Sequence, residues 1–446
     1  MTELLELARR VAEQARPGEQ IEAYVARGTT TSVKAYGGEV ESLTSAESFG
    51  VGIRVVSGKR QGFAHCGTFD DAMVFDTLAD ARDNATFGEP DEFYGLAVPD
   101  GLPEPSLHLW RDELVSFPTV EKVALALELE RATVGRDPRV TGVRTAIYGD
   151  SLGEVAIATS TGIAAHGRGT GCHLSVSALA VSGGETKIGG GVSVGRGPSE
   201  LDVEEAATDA VDRAVRLFGA VKPPSQRLAV VFEPRLAATL LGIAGATLTG
   251  ERVLKGRSPF ADRLGEQIAS PLLTLVDDPT DPRSFGADPF DGEGLATRRN
   301  VLIRSGVLQG FLHDTYSGRR AGTGSTASAV RGYASTPGVG CRALAIAPGS
   351  GSLDELVGGV DRGLLVQSLS GLHSGVNAVS GDFSVGAEGL MIRDGALAEP
   401  VREVTIASTL QRLLLGIRAV GSDLEWRPGG TGACTLVVED VSLSGT

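Results

Sequence analysis

The sequence predicts an α+β protein: two smaller N-terminal α/β units with mostly antiparallel strands, followed by a larger strand-rich C-terminal domain. Three observations predict it. Glycine is 61 of 446 residues while aromatic residues are only 5 %, a balance that favours turns and short strands over long helical bundles. Helical spacing is confined to a few short segments, and between them lie β-type runs punctuated by Gly and Pro. Proline-rich breaks near 88–105 and 222–225 cut the chain into three, consistent with roughly 150 residues per domain. With 41 % apolar and 22 % charged residues, the chain can bury a sizeable core.

Leu4, Leu7, Ala8, Val11 and Ala15 fall on one helical face, and Pro17-Gly18 stops that helix. Strands are predicted at 21–25, 30–36, 50–56 and 61–64, with Gly37-Gly38 and Ser57-Gly58-Lys59 as hairpin turns. A helix over 70–85 closes a first unit, 1–90, and the stretch 88–105, with four prolines, reads as a linker. The second unit, 106–219, runs from a helix at 119–134 through strands at 140–148, 154–159, 171–181 and 189–194 to a helix at 203–217. The third, 225–446, starts with a strand at 228–232 and an Ala/Leu-rich helix at 236–248, then continues as short strands separated by glycine. No repeat of fixed period is present.

Acidic residues exceed basic ones by 56 to 41, a net charge of −15, which repels phosphate backbones and excludes a broad nucleic-acid footprint. The predominance of Arg over Lys reads as a coding bias. Cys66, Cys172, Cys341 and Cys434 lie far apart, so neither a zinc ribbon nor a thioredoxin-type site is written here. The opening Met1-Thr2-Glu3-Leu4-Leu5-Glu6 is acidic where a signal peptide would be basic. No apolar run reaches the length of about 18 residues that spans a membrane. The expectation is a soluble cytoplasmic protein with no membrane partner.

None of the six histidines is followed by Glu, so no HExxH or HExxxH helix is present. His65-Cys66 and Cys172-His173 look like ligand pairs, but adjacent strand residues point to opposite faces. Gly149-Asp150-Ser151-Leu152-Gly153 satisfies both GxSxG and the GDSL string of serine esterases, yet no histidine has an Asp three residues before it. Its flanks read as the arms of a hairpin around a polar turn. Gly167-Arg168-Gly169-Thr170-Gly171 and Gly189-Gly190-Gly191 read as turns or bulges, since no phosphate-loop pattern accompanies them. Asp277-Asp278-Pro279-Thr280-Asp281 and Asp288 to Gly294 could hold a hard cation, but such steps also cap their own turns, the reading we favour. Gly371 to Ser384 concentrates polar groups among glycines, which suits close approach of a peptide backbone and suits sheet bends equally well.

Leu372-His373-Ser374-Gly375-Val376-Asn377, running into Ser380-Gly381-Asp382-Phe383-Ser384 and Ala387-Glu388-Gly389, resembles the TldD/PmbA family. So do Pro400 to Ala407, Gly50-Val51-Gly52-Ile53-Arg54 with Gly62-Phe63-Ala64, Val276 to Pro279, Phe290 to Gly294 and Ser305 to Gly310, in order along nearly the whole chain. The resemblance implies one of two branches that pair as a heterodimer. The TldD branch carries HExxxH on a helix and uses zinc to cleave unfolded peptides. Here Gly242 and Thr247 stand where the two zinc histidines would be, and Ile243 where the catalytic Glu would be. The region 423–432, where a Cys ligand would be expected, contains none, and Cys434 follows it. The chain thus resembles the TldE (PmbA) branch, with no cofactor of its own and zinc expected in the partner. Thr326 to Ala329 and Gly340 to Ala343 depart from the Gly-Asn-Ala and Pro-Thr-Asn patterns expected there.

The resemblance implies a non-catalytic subunit of a heterodimeric zinc metallopeptidase, walling a cavity shared with an HExxxH partner and admitting an extended peptide by strand addition. Its substrates would be unfolded segments or precursor peptides. His373, Asn377, Ser380 and Asp382 are the residues expected to line that cavity. Two other readings stand beside it: a homodimeric, zinc-independent amide or ester hydrolase with Ser151 or Cys341 as nucleophile, and a non-enzymatic regulatory binding protein. A homodimer of the chain alone is also expected to be possible.

Overall fold

The spacing of Leu4, Leu7, Ala8 and Val11 forms helix α1 (Glu3–Ala12), which buries those side chains. A computed structural model of the chain describes residues 2–446. After α1 come β1 (Glu19–Tyr36), β2 (Glu39–Ser57), β3 (Arg60–Cys66) and α2 (Asp71–Phe87). The predicted turns are present: Gly37 and Gly38 have φ of 66° and 81°, values open to glycine at little steric cost. The short helix α3 (Asp112–Val115) precedes α4 (Thr119–Arg136), β4 (Val140–Thr159), β5 (Ala164–Ser182), β6 (Glu185–Gly195) and α5 (Val203–Val215).

Several strands are longer than predicted. The segments 21–25 and 30–36 are one strand, and so are 140–148 and 154–159. The Gly149–Gly153 string is therefore mid-strand and not a hairpin turn, and Gly167–Gly171 likewise lies inside β5. The reason is tertiary: Ser151 is paired to Thr30 on one side and Gly171 on the other. A ladder filled on both sides outweighs local turn preference.

The two N-terminal units contribute three strands each to one sheet, in the order β3-β2-β1-β4-β5-β6. Helices cover one face of it. The pair α1/α2 packs on Ile21, Val51 and Ala156, and the pair α4/α5 on Val33, Tyr148 and Leu174. The stretch 88–105 has no regular structure but is tied down, with Leu96 buried and the carbonyls of Gly95 and Leu96 each accepting from Arg319 at 2.7 Å.

The C-terminal domain opens with β7 (Gln226–Phe232) and α6 (Pro234–Thr247). One sheet orders Ala396–Thr409, Asp382–Arg393, Arg362–Ser370, β7, Leu436–Ser444 and Ile417–Val420, and its first strand also pairs with Leu436–Ser444. A second sheet contains Val307–Leu308, Asn300–Arg304, Leu275–Asp277, Leu344–Ile346, Gly432–Ala433 and Glu425–Trp426. Leu236, Leu240 and Leu241 of α6 share a core with both sheets. Pairing is antiparallel except where β7 meets Arg362–Ser370 and Leu344–Ile346 meets Gly432–Ala433. Among the described residues no helix is long and apolar enough to cross a membrane.

The domains join through buried charge. Arg54 of β2 donates to both oxygens of Glu22 at 3.0 and 2.7 Å and to Glu293 at 3.1 Å, while Arg331 pairs with Glu22. Burial alone would raise the Glu22 pKa, but the two guanidiniums outweigh it and hold it low. Two strings far apart in sequence, 50–54 and 290–294, thus meet in one ion cluster.

Candidate functional site

Strand residues alternate between faces, so Tyr148, Cys172 and Leu174 pointing into the helices leave Gly149, Ser151, Gly153, Gly169, Gly171 and His173 on the other face. Between that face and the C-terminal segment 285–290, with Pro428, lies a cleft of about 680 Å³. Part of its floor is free of side chains: an added Cβ at Gly153 meets nothing within 4 Å, and those at Gly169 and Gly171 meet their first atoms at 3.9 and 3.7 Å. Such a floor lets an extended backbone lie close to the sheet with little selection for side chains.

Two arginines border the cleft, and among the described residues neither is paired with a carboxylate. Arg196 is buried, donates to the Ser284 carbonyl and stacks 5.6 Å from the Phe285 ring; burial lowers its pKa. Arg168 lies 4.6 Å over Trp110. Asp288 is held at 2.6 Å by Arg342, although burial still pushes its carboxyl up. His173 covers Gly149, where a Cβ would come within 2.3 Å of its ring, and burial lowers its pKa. Sequence reasoning missed Arg196 and the placement of His173, because nothing local marks which residues a cross-strand register brings together.

Ser151 is exposed on this face, but Asp150 points the opposite way, bound by Lys122 at 2.6 Å and the Tyr148 hydroxyl at 2.8 Å. The string therefore supplies no Ser-His-Asp relay. Burial pushes the Cys341 thiol far above its ordinary value, and those of Cys172 and Cys434 to about 12, so none is a ready thiolate at neutral pH. The two His-Cys pairs lie on β3 and β5, separated by three strands. In the acidic loops Asp278 caps its own turn by accepting from Thr280, and Asp291 accepts from Glu293 and Leu295, whereas Asp277 accepts from the distant N–H groups of Arg342 and Ala343 and Asp291 also from that of Ala329.

On α6, Gly242 offers no side chain and Ile243 packs on the core. The Thr247 hydroxyl is buried and donates to the Ala244 carbonyl at 2.6 Å. These positions present no imidazole, thiolate or free carboxylate, so they do not fit a zinc ion. Elsewhere, Asn377, Ser380 and Asp382 gather in one exposed turn. The Asn377 side chain accepts from the N–H groups of Val379 (2.9 Å) and Ser380 (3.3 Å), and the Ser380 hydroxyl donates to Asp382 at 2.6 Å. His373 is exposed on the short helix Leu372–Gly375. None of these four lines the cleft.

The helix-backed sheet, the glycine-floored cleft and the strand-rich C-terminal domain define a three-part class of protein matched along the chain by family models. Residues 21–85 match PmbA/TldA metallopeptidase domain 1, residues 112–218 the central domain and residues 225–445 the C-terminal domain. The chain belongs to the PmbA/TldD metallopeptidase family. It is similar to Metalloprotease PmbA of Escherichia coli O157:H7, with 29 % identity over 91 % of this chain and 88 % of that protein. It is similar also to the Metalloprotease PmbA homolog of Haemophilus influenzae, with 26 % identity over 96 % and 93 %. The crystal structure of TldE from Thermococcus kodakarensis superposes with a TM-score of 0.90 and 25 % identity, covering 99 % of each chain.

Proposed function

We propose that this chain is the TldE-like, non-catalytic subunit of a heterodimeric metallopeptidase that cleaves unfolded or precursor peptides in the cytoplasm. The chemistry belongs to an HExxxH partner, and this chain walls the cavity in which the extended peptide lies. The observation that carries the reading is α6: where a zinc helix needs two imidazoles and a carboxylate, Gly242, Thr247 and Ile243 supply none. The glycines at 153, 169 and 171 support the choice of substrate, because a floor poor in side chains there accommodates a main chain with little selection. The charge of −15 opposes a nucleic-acid partner.

The experiment is to purify the chain alone and together with a coexpressed HExxxH family member, measure bound zinc, and assay an unstructured peptide. Neither metal nor cleavage is expected alone, and both are expected in the pair. Stoichiometric zinc or turnover in the isolated chain would sink the reading.

A further inference from the structure

Strand β2 is longer than its neighbour on the outside. β3 pairs only with Val51–Ser57, so from Glu39 to Phe49 β2 is bonded to β1 alone, and every residue in that stretch is exposed. The direction of its free groups follows from the ladder. Ser160 N donates to Ile21 O, so odd residues of β1 face β4 and even ones face β2. The register pairs Thr30 with Ala46 and Ser32 with Thr44, so even residues of β2 bond inward. The N–H and C=O groups of Leu43, Ser45 and Glu47 therefore point outward, away from β1. Val40, Leu43 and Phe49 are exposed by 41, 45 and 41 % along the same strand. A long, partly apolar open edge of this kind invites another strand.

We propose that the outer edge of β2, from Leu43 to Phe49, is the docking edge for a strand of a partner subunit carrying Lys or Arg. The inference rests on the two-chain reading above and assigns its contact. Charge selects the occupant: Glu47 lies on this edge, Glu39 and Glu41 lie on the same strand just before it, and no Lys or Arg occurs between Ala35 and Ile53. Among the described residues Glu41 alone of the three has an ion-pair partner, Lys34 at 2.6 Å. A second copy of this chain would bring the same carboxylates to the same edge, whereas a basic strand complements them.

The test is a sedimentation titration of the full chain against the HExxxH family member, using Ser45→Pro, Leu43→Lys and Glu47→Lys. The Ser45 N–H faces outward, so proline there spares the β1 ladder. Each variant is expected to raise the dissociation constant at least tenfold while its thermal midpoint stays within a few degrees of wild type, with Glu47→Lys losing most at low salt. If Ser45→Pro fails to fold, the exposed Leu43→Lys decides. Folded variants that bind as tightly as wild type overturn the edge assignment and leave the two-chain reading standing. A wild type that binds no HExxxH chain sinks both, and one that pairs only with itself through this edge overturns the basic partner.

Discussion

Asp277 shows how far a single carboxyl can be displaced by its surroundings. It is fully buried, accepts two backbone N–H bonds on one oxygen, and leaves the other without a partner. Burial outweighs those bonds and raises its pKa from 3.8 to about 6; burial, with the nearby Glu293 charge, also pushes Asp291 up. A raised acid binds its proton more tightly in the folded state, so its contribution to stability falls as pH rises from about 4 through 6. The prediction is that Asp277→Asn flattens this slope and gains up to roughly 3 kcal/mol over wild type at pH 7.5, with little difference at pH 4. Urea unfolding at the two pH values checks it. Arg54 behaves oppositely, because its charge is matched on two sides. Arg54→Met should lose about 3–5 kcal/mol, since Glu22 and Glu293 would stay buried with fewer partners; a urea midpoint that does not move would refute this.

At the scale of the element, the glycines of β6 act as seats for a helix. A Cβ on Gly191 would lie 1.8 Å from the Ala206 carbonyl, and one on Gly189 2.1 Å from that of Ala210. The small face of α5, with Ala206, Ala207, Ala210 and Ala214 buried, rests directly on the strand. Gly191→Ala is predicted to destabilise by about 1–3 kcal/mol through overpacking, whereas Gly190→Ala, with only one atom at 3.9 Å, should be mild. Paired thermal melts separate the two. The same logic explains the Gly149–Gly153 string, whose residues serve strand and cleft. Ser151→Ala is expected to leave the pair's peptide cleavage within twofold, because among the described residues no side chain hydrogen-bonds that hydroxyl and Asp150 points the opposite way.

For the whole molecule, the cleft exists only because two domains face each other across a side-chain-poor sheet. Gly153→Trp points into open space, so it should fill the floor without unfolding the chain. The expected result is a KM for an unstructured peptide raised several-fold in the pair, with an unchanged melting temperature. An unaltered KM would place the peptide elsewhere.

The helices α1, α2, α4, α5 and α6 were legible in the sequence from apolar spacing and breakers. Hairpin turns such as Gly37-Gly38 were legible for the same reason: the information is local. The continuity of β4 through Asp150 and Ser151, the meeting of Arg54 with Glu293, and the burial of Arg196 beside the cleft were not, since each depends on residues far apart in the chain. By itself, then, the sequence determined the local elements and the α+β class. Only the tertiary structure decided that two sequence units share one sheet, that glycines read as turns floor a cleft, and that β2 is left with an open edge. The physical reason is that spacing and side-chain chemistry act over a few residues, whereas strand pairing, burial and charge matching are settled by whatever the fold brings alongside.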